Sequence, residues 1–171
     1  MRPANTAIKL RRLSPADAAA YRDIRLEALA RHPEAFSSAF ETERGQSLDW
    51  FADRLESSTV FGALQGSELL GVVGFFVQAG PKRAHKGAIW GLYVRASARR
   101  AGVGRMLMEA AIGHARPRVE LVQLTVTSTN SAARALYARL GFVEYGIEKN
   151  ALKVDGRYYD DVLMAKPLVT V

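Results

Sequence analysis

A strand that runs straight into a glycine- and arginine-bearing loop, and out of it into a helix, constrains this chain more than any other stretch. Leu92-Tyr93-Val94 is apolar and rich in β-formers. Arg95-Ala96-Ser97-Ala98-Arg99-Arg100-Ala101-Gly102-Val103-Gly104-Arg105 follows, and Val103, Met106, Leu107, Ala110 and Ala111 then make an apolar stripe at helical spacing. The first backbone N–H groups of a helix have no partner inside it, and glycines let an anion come close to them. Arginines add charge and donors. The unit predicts a β–loop–α corner with a site for a phosphate or pyrophosphate.

Charge gathers about the same corner. Residues 82–118 hold nine bases and the single acid Glu109, a net +8, which leaves −1 for the rest of a chain whose net charge is +7. So local an excess suits a defined anionic ligand better than a generally sticky surface. A basic nucleic-acid-binding domain is the competing reading. No basic run interleaved with aromatics appears, and no zinc or ribonucleoprotein motif, so no nucleic-acid partner is expected.

The loop is neither of two common phosphate motifs. No Gly-Lys-Ser/Thr follows it, which excludes a Walker loop. Gly102-Val103-Gly104-Arg105-Met106-Leu107 lacks the third glycine of the dinucleotide fingerprint, and it comes after three strands instead of at the first strand–helix turn.

The remainder supplies context. At 171 residues the chain suits one domain, 1–171. Ile8–Leu13 reads as a weak first strand, and Ser14-Pro15-Ala16-Asp17 as a helix start with proline at the first position. Residues 31–46 read as irregular, and Ser47 caps a second helix. Val60–Leu64 and Leu69–Val77 form a hairpin, and Ala88–Val94 is the strand before the glycine loop. Leu121–Thr127 is a strand, and Asn130–Leu140 a helix stopped by Gly141. Phe142–Ile147 and Val162–Lys166 are strand-like, with a turn signal at Asp155-Gly156 between them. The order is that of one α+β domain with a mixed sheet. With no apolar run of about 18 residues, no membrane association is expected. Zero cysteines remove disulfides, thiol nucleophiles and thiolate metal sites, and no metal is expected. Met1-Arg2-Pro3-Ala4-Asn5 lacks the apolar core of a signal peptide, so the cytoplasm is the expected compartment.

Arg99-Arg100-Ala101-Gly102-Val103-Gly104 resembles Gln/Arg-x-x-Gly-x-Gly/Ala, the acyl-CoA pyrophosphate loop of the GNAT N-acetyltransferase superfamily. Asn130-Ser131-Ala132-Ala133-Arg134-Ala135-Leu136-Tyr137-Ala138-Arg139-Leu140-Gly141-Phe142 resembles that family's next landmark. The resemblance runs over nearly the whole chain and is strongest over 88–142. It implies a GNAT-like fold with a central mixed, mostly antiparallel sheet, flanked by helices and splayed between Ala88–Val94 and Leu121–Thr127. It also implies acetyl-CoA as acetyl donor, with pantetheine lying in the gap. Leu92, Tyr93 and Val94 would hold the pantetheine arm, and Arg99, Arg100, Ala101, Gly102, Val103, Gly104 and Arg105 the phosphates. Asn130 would touch the cofactor, and the Leu92 N–H would stabilise the oxyanion. Tyr137 would face the CoA sulfur, where a phenol of pKa about 10 can supply a proton or hydrogen bond. Spacing alone leaves two roles open: Tyr137 falls with Ala133, Leu136 and Leu140 on one helical face, as a core tyrosine would, and Asn130 is equally a good helix cap.

The general base has no such motif. Many members of the family carry a glutamate on the strand before the glycine loop, whereas Gly87–Val94 carries no acid. His85 lies just upstream, and a histidine is a side chain that can act as a base near neutral pH. By position the first long loop and the last hairpin wall the acceptor pocket. Glu34, Glu41, Glu43, Asp160 and Asp161 are the acids there, and Phe36, Phe40, Tyr158 and Tyr159 the aromatics. The acceptor-site expectation is Phe36, Glu41, Glu43, His85, Tyr158 and Asp160. The expected reaction is direct transfer to a primary amine, with the acceptor open among small amines, amino acids, antibiotics, polyamines and protein N-termini or lysines, in a possible homodimer. A catalytically silent CoA-binding regulatory module is the alternative.

Overall fold

Buried apolar side chains in two clusters, one on each face of one sheet, set the architecture. The computed structural model describes residues 7–169, so the N-terminal pentapeptide lies outside the described residues. Strand β1 (Lys9–Arg12) leads through a 3-10 turn at Pro15–Asp17 into α1 (Ala18–Arg31). There the Asp17 carboxylate accepts from Ser14 N–H at 2.8 Å and takes a two-point bond from Arg11. A four-residue helix α2 (Phe40–Glu43) breaks the segment expected to be irregular, and α3 (Leu48–Ser57) follows with Ser47 capping the Trp50 N–H.

Strands β2 (Thr59–Gln65), β3 (Glu68–Val77) and β4 (Lys86–Val94) then run antiparallel. Helix α4 (Val103–Ala115), strand β5 (Leu121–Thr127), helix α5 (Ser131–Arg139) and the hairpin β6 (Val143–Val154)–β7 (Arg157–Pro167) complete the chain. The sheet order is β1-β2-β3-β4-β5-β7-β6, and β4–β5 is its parallel pair.

Helices cover both faces. On one, Val103, Leu107, Met108 and Ala111 of α4 pack on Val73, Phe75 and Ile89, and Val162 and Met164 of β7 join them. On the other, Tyr21, Ile24, Phe51 and Leu55 of α1 and α3 pack on Val60, Leu69 and Val72. Burial from both sides makes β3 a near-continuous apolar run instead of an alternating one.

The last hairpin is longer than its hydrophobicity suggests. Val154 pairs with Arg157 across a two-residue turn in which Asp155 and Gly156 both have positive φ (49° and 79°), the twist-compatible hairpin geometry. Charged residues at 148–160 conceal the strands, because this stretch has no apolar period. Between Glu148 and Leu152 the register slips, with Asn150 at φ 52°.

Candidate active site

The site starts from a gap in the ladder. Strand β4 pairs with β5 over Lys86–Ala88 against Leu121–Gln123, and beyond that the two strands part. On its other side β4 carries a bulge: Val72 pairs with Tyr93 and Gly74 with Trp90, so Gly91 and Leu92 together oppose Val73. Gly91 sits at φ 65°, a conformation glycine adopts without strain. Bulges leave the extra residue out of the ladder and sharpen the twist. This one turns β4 away from β5 and puts backbone groups near Leu92 at the wedge.

Two cavities occupy the wedge, one on each side. The first, of about 820 Å³, runs from Leu92, Tyr93 and Val94 past the glycine loop to Thr127, Asn130 and α5. The second, of about 770 Å³, lies among α1, α3, β4, β5 and the last hairpin. Ala35, Phe36 and Thr127 line both, so they mark the place where the cavities meet. The Thr127 hydroxyl donates to the Glu34 carbonyl at 2.6 Å, which ties the loop after α1 to the end of β5.

In the first cavity the glycine loop is built for an anion. Gly102 is the N-cap of α4 at φ 76° and provides no side-chain cap, so the helix's first N–H groups stay available; Arg100 too has positive φ, 65°. A Cβ at Gly104 would lie 3.5 Å from Leu136, inside the lining. Arg99, Arg100, Val103 and Arg105 line the cavity. Arg99 is partly committed, with Nε donating to the Val94 carbonyl at 3.1 Å and Nη2 to His32 Nε2 at 3.2 Å. Arg105 pairs with Glu109 at 2.7 Å. Ala101 is exposed and outside the lining. Asn130 lines the cavity, and its Oδ1 accepts from Ala133 N–H at 3.2 Å as the cap of α5.

Tyr137 stands on the same helix but is not among the lining residues. It is 8% exposed, meets Phe142 edge-on at 6.0 Å, and burial pushes its phenol up to about 12. Its helix neighbours Ala133, Leu136 and Leu140 line the cavity.

Of the six residues expected on the acceptor side, Phe36 lines both cavities and the other five line neither. Phe36 is at the junction. Glu43 is 3% exposed and belongs to a buried ion pair: Arg25 Nε and Nη2 donate to it at 3.0 and 2.9 Å, and Arg54 Nη1 at 3.1 Å. Burial alone raises its carboxyl, but the two guanidiniums outweigh that and hold it below the usual range. Glu41 is exposed on α2 and lines neither cavity. His85 stands at the closed end of the wedge, its carbonyl accepting from Glu120 and Leu121 N–H, and is likewise outside both cavities. Tyr158 is exposed and lies under Lys153 at 5.0 Å. Asp160 braces the slipped register of the hairpin, accepting from Lys149 Nζ at 2.8 Å and Asn150 N–H at 2.9 Å.

Asp161, one residue on, lines the second cavity together with its cross-strand partner Glu148. Burial and the Glu148 carboxylate push Asp161 above the usual range, offset in part by the Thr127 hydroxyl. Period two on β7 carries this distinction: Val162 and Met164 bury against the α4 face, so Asp161 points to the other. Trp90, Arg25 and Arg54 also line this cavity. No local motif marks them, since they come from three separate elements.

Comparison with known proteins agrees with this geometry. The model of the acetyltransferase (GNAT) family matches residues 21–142. A mycothiol acetyltransferase of Salinispora tropica is 28% identical over 152 residues, covering 86% of this chain and 48% of that protein. The [ribosomal protein bS18]-alanine N-acetyltransferase of Salmonella typhimurium is 40% identical over 70 residues, covering 40% of this chain and 47% of its own. The chain thus spans about half the length of the curated relatives it matches. Among solved structures, a GNAT-family acetyltransferase from Streptococcus pneumoniae superposes with a TM-score of 0.85 at 22% identity, covering 94% of this chain and 99% of that one. YncA of Salmonella typhimurium, solved with its cofactor acetyl-CoA, superposes at 0.79 and 22%, covering 96% of each. A splayed sheet, a bulged strand and an open helix N-terminus, together with a family match over most of the sequence, place the chain in the acetyltransferase (GNAT) family.

Proposed function

We propose that this protein transfers an acetyl group from acetyl-CoA to a primary amine, with donor and acceptor bound together. The observation that carries this reading is the wedge itself: two cavities enter it from opposite sides and meet at Ala35, Phe36 and Thr127. The chemistry suits the first cavity, because the uncapped N-terminus of α4 offers N–H groups to phosphate and a side chain at Gly104 would intrude on it. Bound acetyl-CoA supplies the acetyl thioester.

This chain's residues then have separate tasks. The loop from Arg99 to Gly104 binds the pyrophosphate, and Leu92, Tyr93 and Val94 line the path of the pantetheine arm. The Leu92 N–H, next to the bulge, stabilises negative charge developing on the carbonyl oxygen. Asp161 takes the proton from the incoming ammonium, since its carboxyl lies at the acceptor side near the junction and is held above the usual carboxylate range. Tyr137 assists the departing sulfur. A phenol at about 12 is a weaker acid than a thiol, ordinarily about 8.5, so Tyr137 keeps its proton and donates a hydrogen bond.

The second reading, a silent CoA-binding module, draws on the absence of any acid along β4. Incubating the protein with acetyl-CoA and a panel of amines, with detection of the free CoA thiol, separates the two. Acceptor-dependent thiol release is expected; tight acetyl-CoA binding with no release from any amine would favour the silent module.

A further inference from the structure

The second cavity has walls of opposite charge. On one side Arg25 of α1 and Arg54 of α3 share a single carboxylate, Glu43. Two guanidiniums against one carboxylate leave a net charge of +1, and neither guanidinium can shed its proton. Arg25 is only 5% exposed and the Arg54 side chain 24%, so part of this charge is removed from water and part opens toward the cavity. Aromatic faces offset part of the cost: Trp90 lies 5.0 Å from Arg54 Cζ and 5.8 Å from Arg25 Cζ, and Phe36 lies 5.5 Å from Arg25 Cζ. Arg25 spends Nε and Nη2 on Glu43; its Nη1 lies beside Gly91, 3.5 Å from where a Cβ there would stand. The surplus positive charge therefore sits where β4 lines the cavity.

The other wall is acidic. Glu148 and Asp161 face each other across the β6–β7 ladder, and both line the cavity. Among the described residues neither has a cation within 4.0 Å, and the ion pairs of Arg25 and Arg54 run to Glu43. The remaining walls are uncharged, with Gln78, Gln123, Thr125 and Ser37 among them.

A ligand complementary to this cavity carries both signs. We infer that the acceptor is an amino-acid-like zwitterion, its amine lying at Asp161 and Glu148 and an anionic oxyacid group of the same small molecule lying at the Arg25–Arg54 pair over Trp90. This rests on the transfer reading above. The anionic group is a carboxylate or a phosphonate, since guanidinium N–H donors not used by Glu43 bind either. A polyamine brings no anion to the arginines. A protein N-terminus brings an amide carbonyl in its place.

The test uses the full-length protein with acetyl-CoA and matched acceptor pairs. Amino acids and aminophosphonates with increasing separation between amine and acid are each compared with the carboxamide or ester of the same skeleton. Thiol release is normalised to the free-amine fraction, because amidation lowers the amine's own pKa. At one spacing the acid is expected to exceed its neutral partner in kcat/KM by at least about tenfold, since a site whose donors pair with the acid rejects the analogue that leaves them unpaired. Carboxylates leading over phosphonates, or the reverse, tells which oxyacid is read. Arg54→Gln is expected to erase the preference, and Arg54→Lys, which keeps the charge beside Glu43, to restore part of it. The wild-type comparison decides the matter even if Arg54→Gln fails to fold. Neutral amides or peptides acetylated as well as the acids would overturn the inference and leave the transfer activity standing. No thiol release from any acceptor, with acetyl-CoA bound, would take down both.

Discussion

The two halves of the wedge are made in different ways. The first cavity is a backbone site, in which a glycine-capped helix start, a bulged strand and a loop present main-chain groups, and side chains fill in behind. The second is a side-chain site, gathered from α1, α3, β4, β5, β6 and β7. A backbone site needs glycines and a helix start in a fixed local order, so it leaves a readable pattern. A side-chain site needs only that distant residues meet, and it leaves none.

The sharpest way to break this division is at Asp161. If its carboxylate is the base, Asp161→Asn should lower kcat by roughly 10²–10⁴ while acetyl-CoA affinity, set in the other cavity, stays put. The pH profile gives the sign. The base works ionised, and its pKa is raised, so wild-type activity should fall as pH drops through a value above the usual aspartate range. That acidic limb should vanish in the asparagine variant. Loss of acetyl-CoA binding in calorimetry would show that the cavities are not independent.

Tyr137→Phe probes the α5 side of the first cavity. Removing a hydrogen bond to a charged sulfur should cost about 1.5–3 kcal/mol, so kcat should drop roughly 10- to 100-fold with little change in either KM. A lower melting temperature with kcat unchanged would return Tyr137 to the core.

On the backbone side, Gly104→Val places a branched side chain against Leu136 and into the lining, and should weaken acetyl-CoA about tenfold or more. Gly102→Val acts for another reason, since its site has open space but φ is 76°. Gly102→Val should therefore lose stability as well as affinity, whereas Gly104→Val should keep its melting temperature. Equal behaviour of the two would mean that the loop works only as a turn.

Asp160→Asn should have the smallest effect on function. It removes the Lys149 contact at the slipped register, so a modestly lower melting temperature with unchanged acceptor KM is expected. A raised KM would put Asp160 back among the acceptor contacts.

The sequence was most legible where hydrophobic period and punctuation agree, as in α4, β5, α5 and the Asp155-Gly156 turn. The splay between β4 and β5 followed from family resemblance alone, since nothing in either strand's composition says that pairing stops at Ala88. Position in the chain makes Glu43 an acceptor-pocket acid, because its ion-pair partners are 18 and 11 residues away in sequence and leave no local mark. Asp160 and Asp161 looked equivalent until the core positions of Val162 and Met164 fixed the parity of β7. Gly91 is an isolated glycine within a strand, a sign of a bulge that no neighbouring residue reinforces.

The short β4–β5 ladder has a thermodynamic consequence. The two sides of the sheet are joined through its middle by pairs at Lys86, Gly87 and Ala88, and the rest of that seam is open. A molecule lying along the seam binds the folded chain and has no counterpart in the unfolded one. At a concentration one hundred times its dissociation constant it would add about 2.7 kcal/mol to the free energy of unfolding. Amide hydrogens of β4 and β5 that face the gap beyond the ladder should then exchange with solvent quickly in the free protein and slowly when the donor is present.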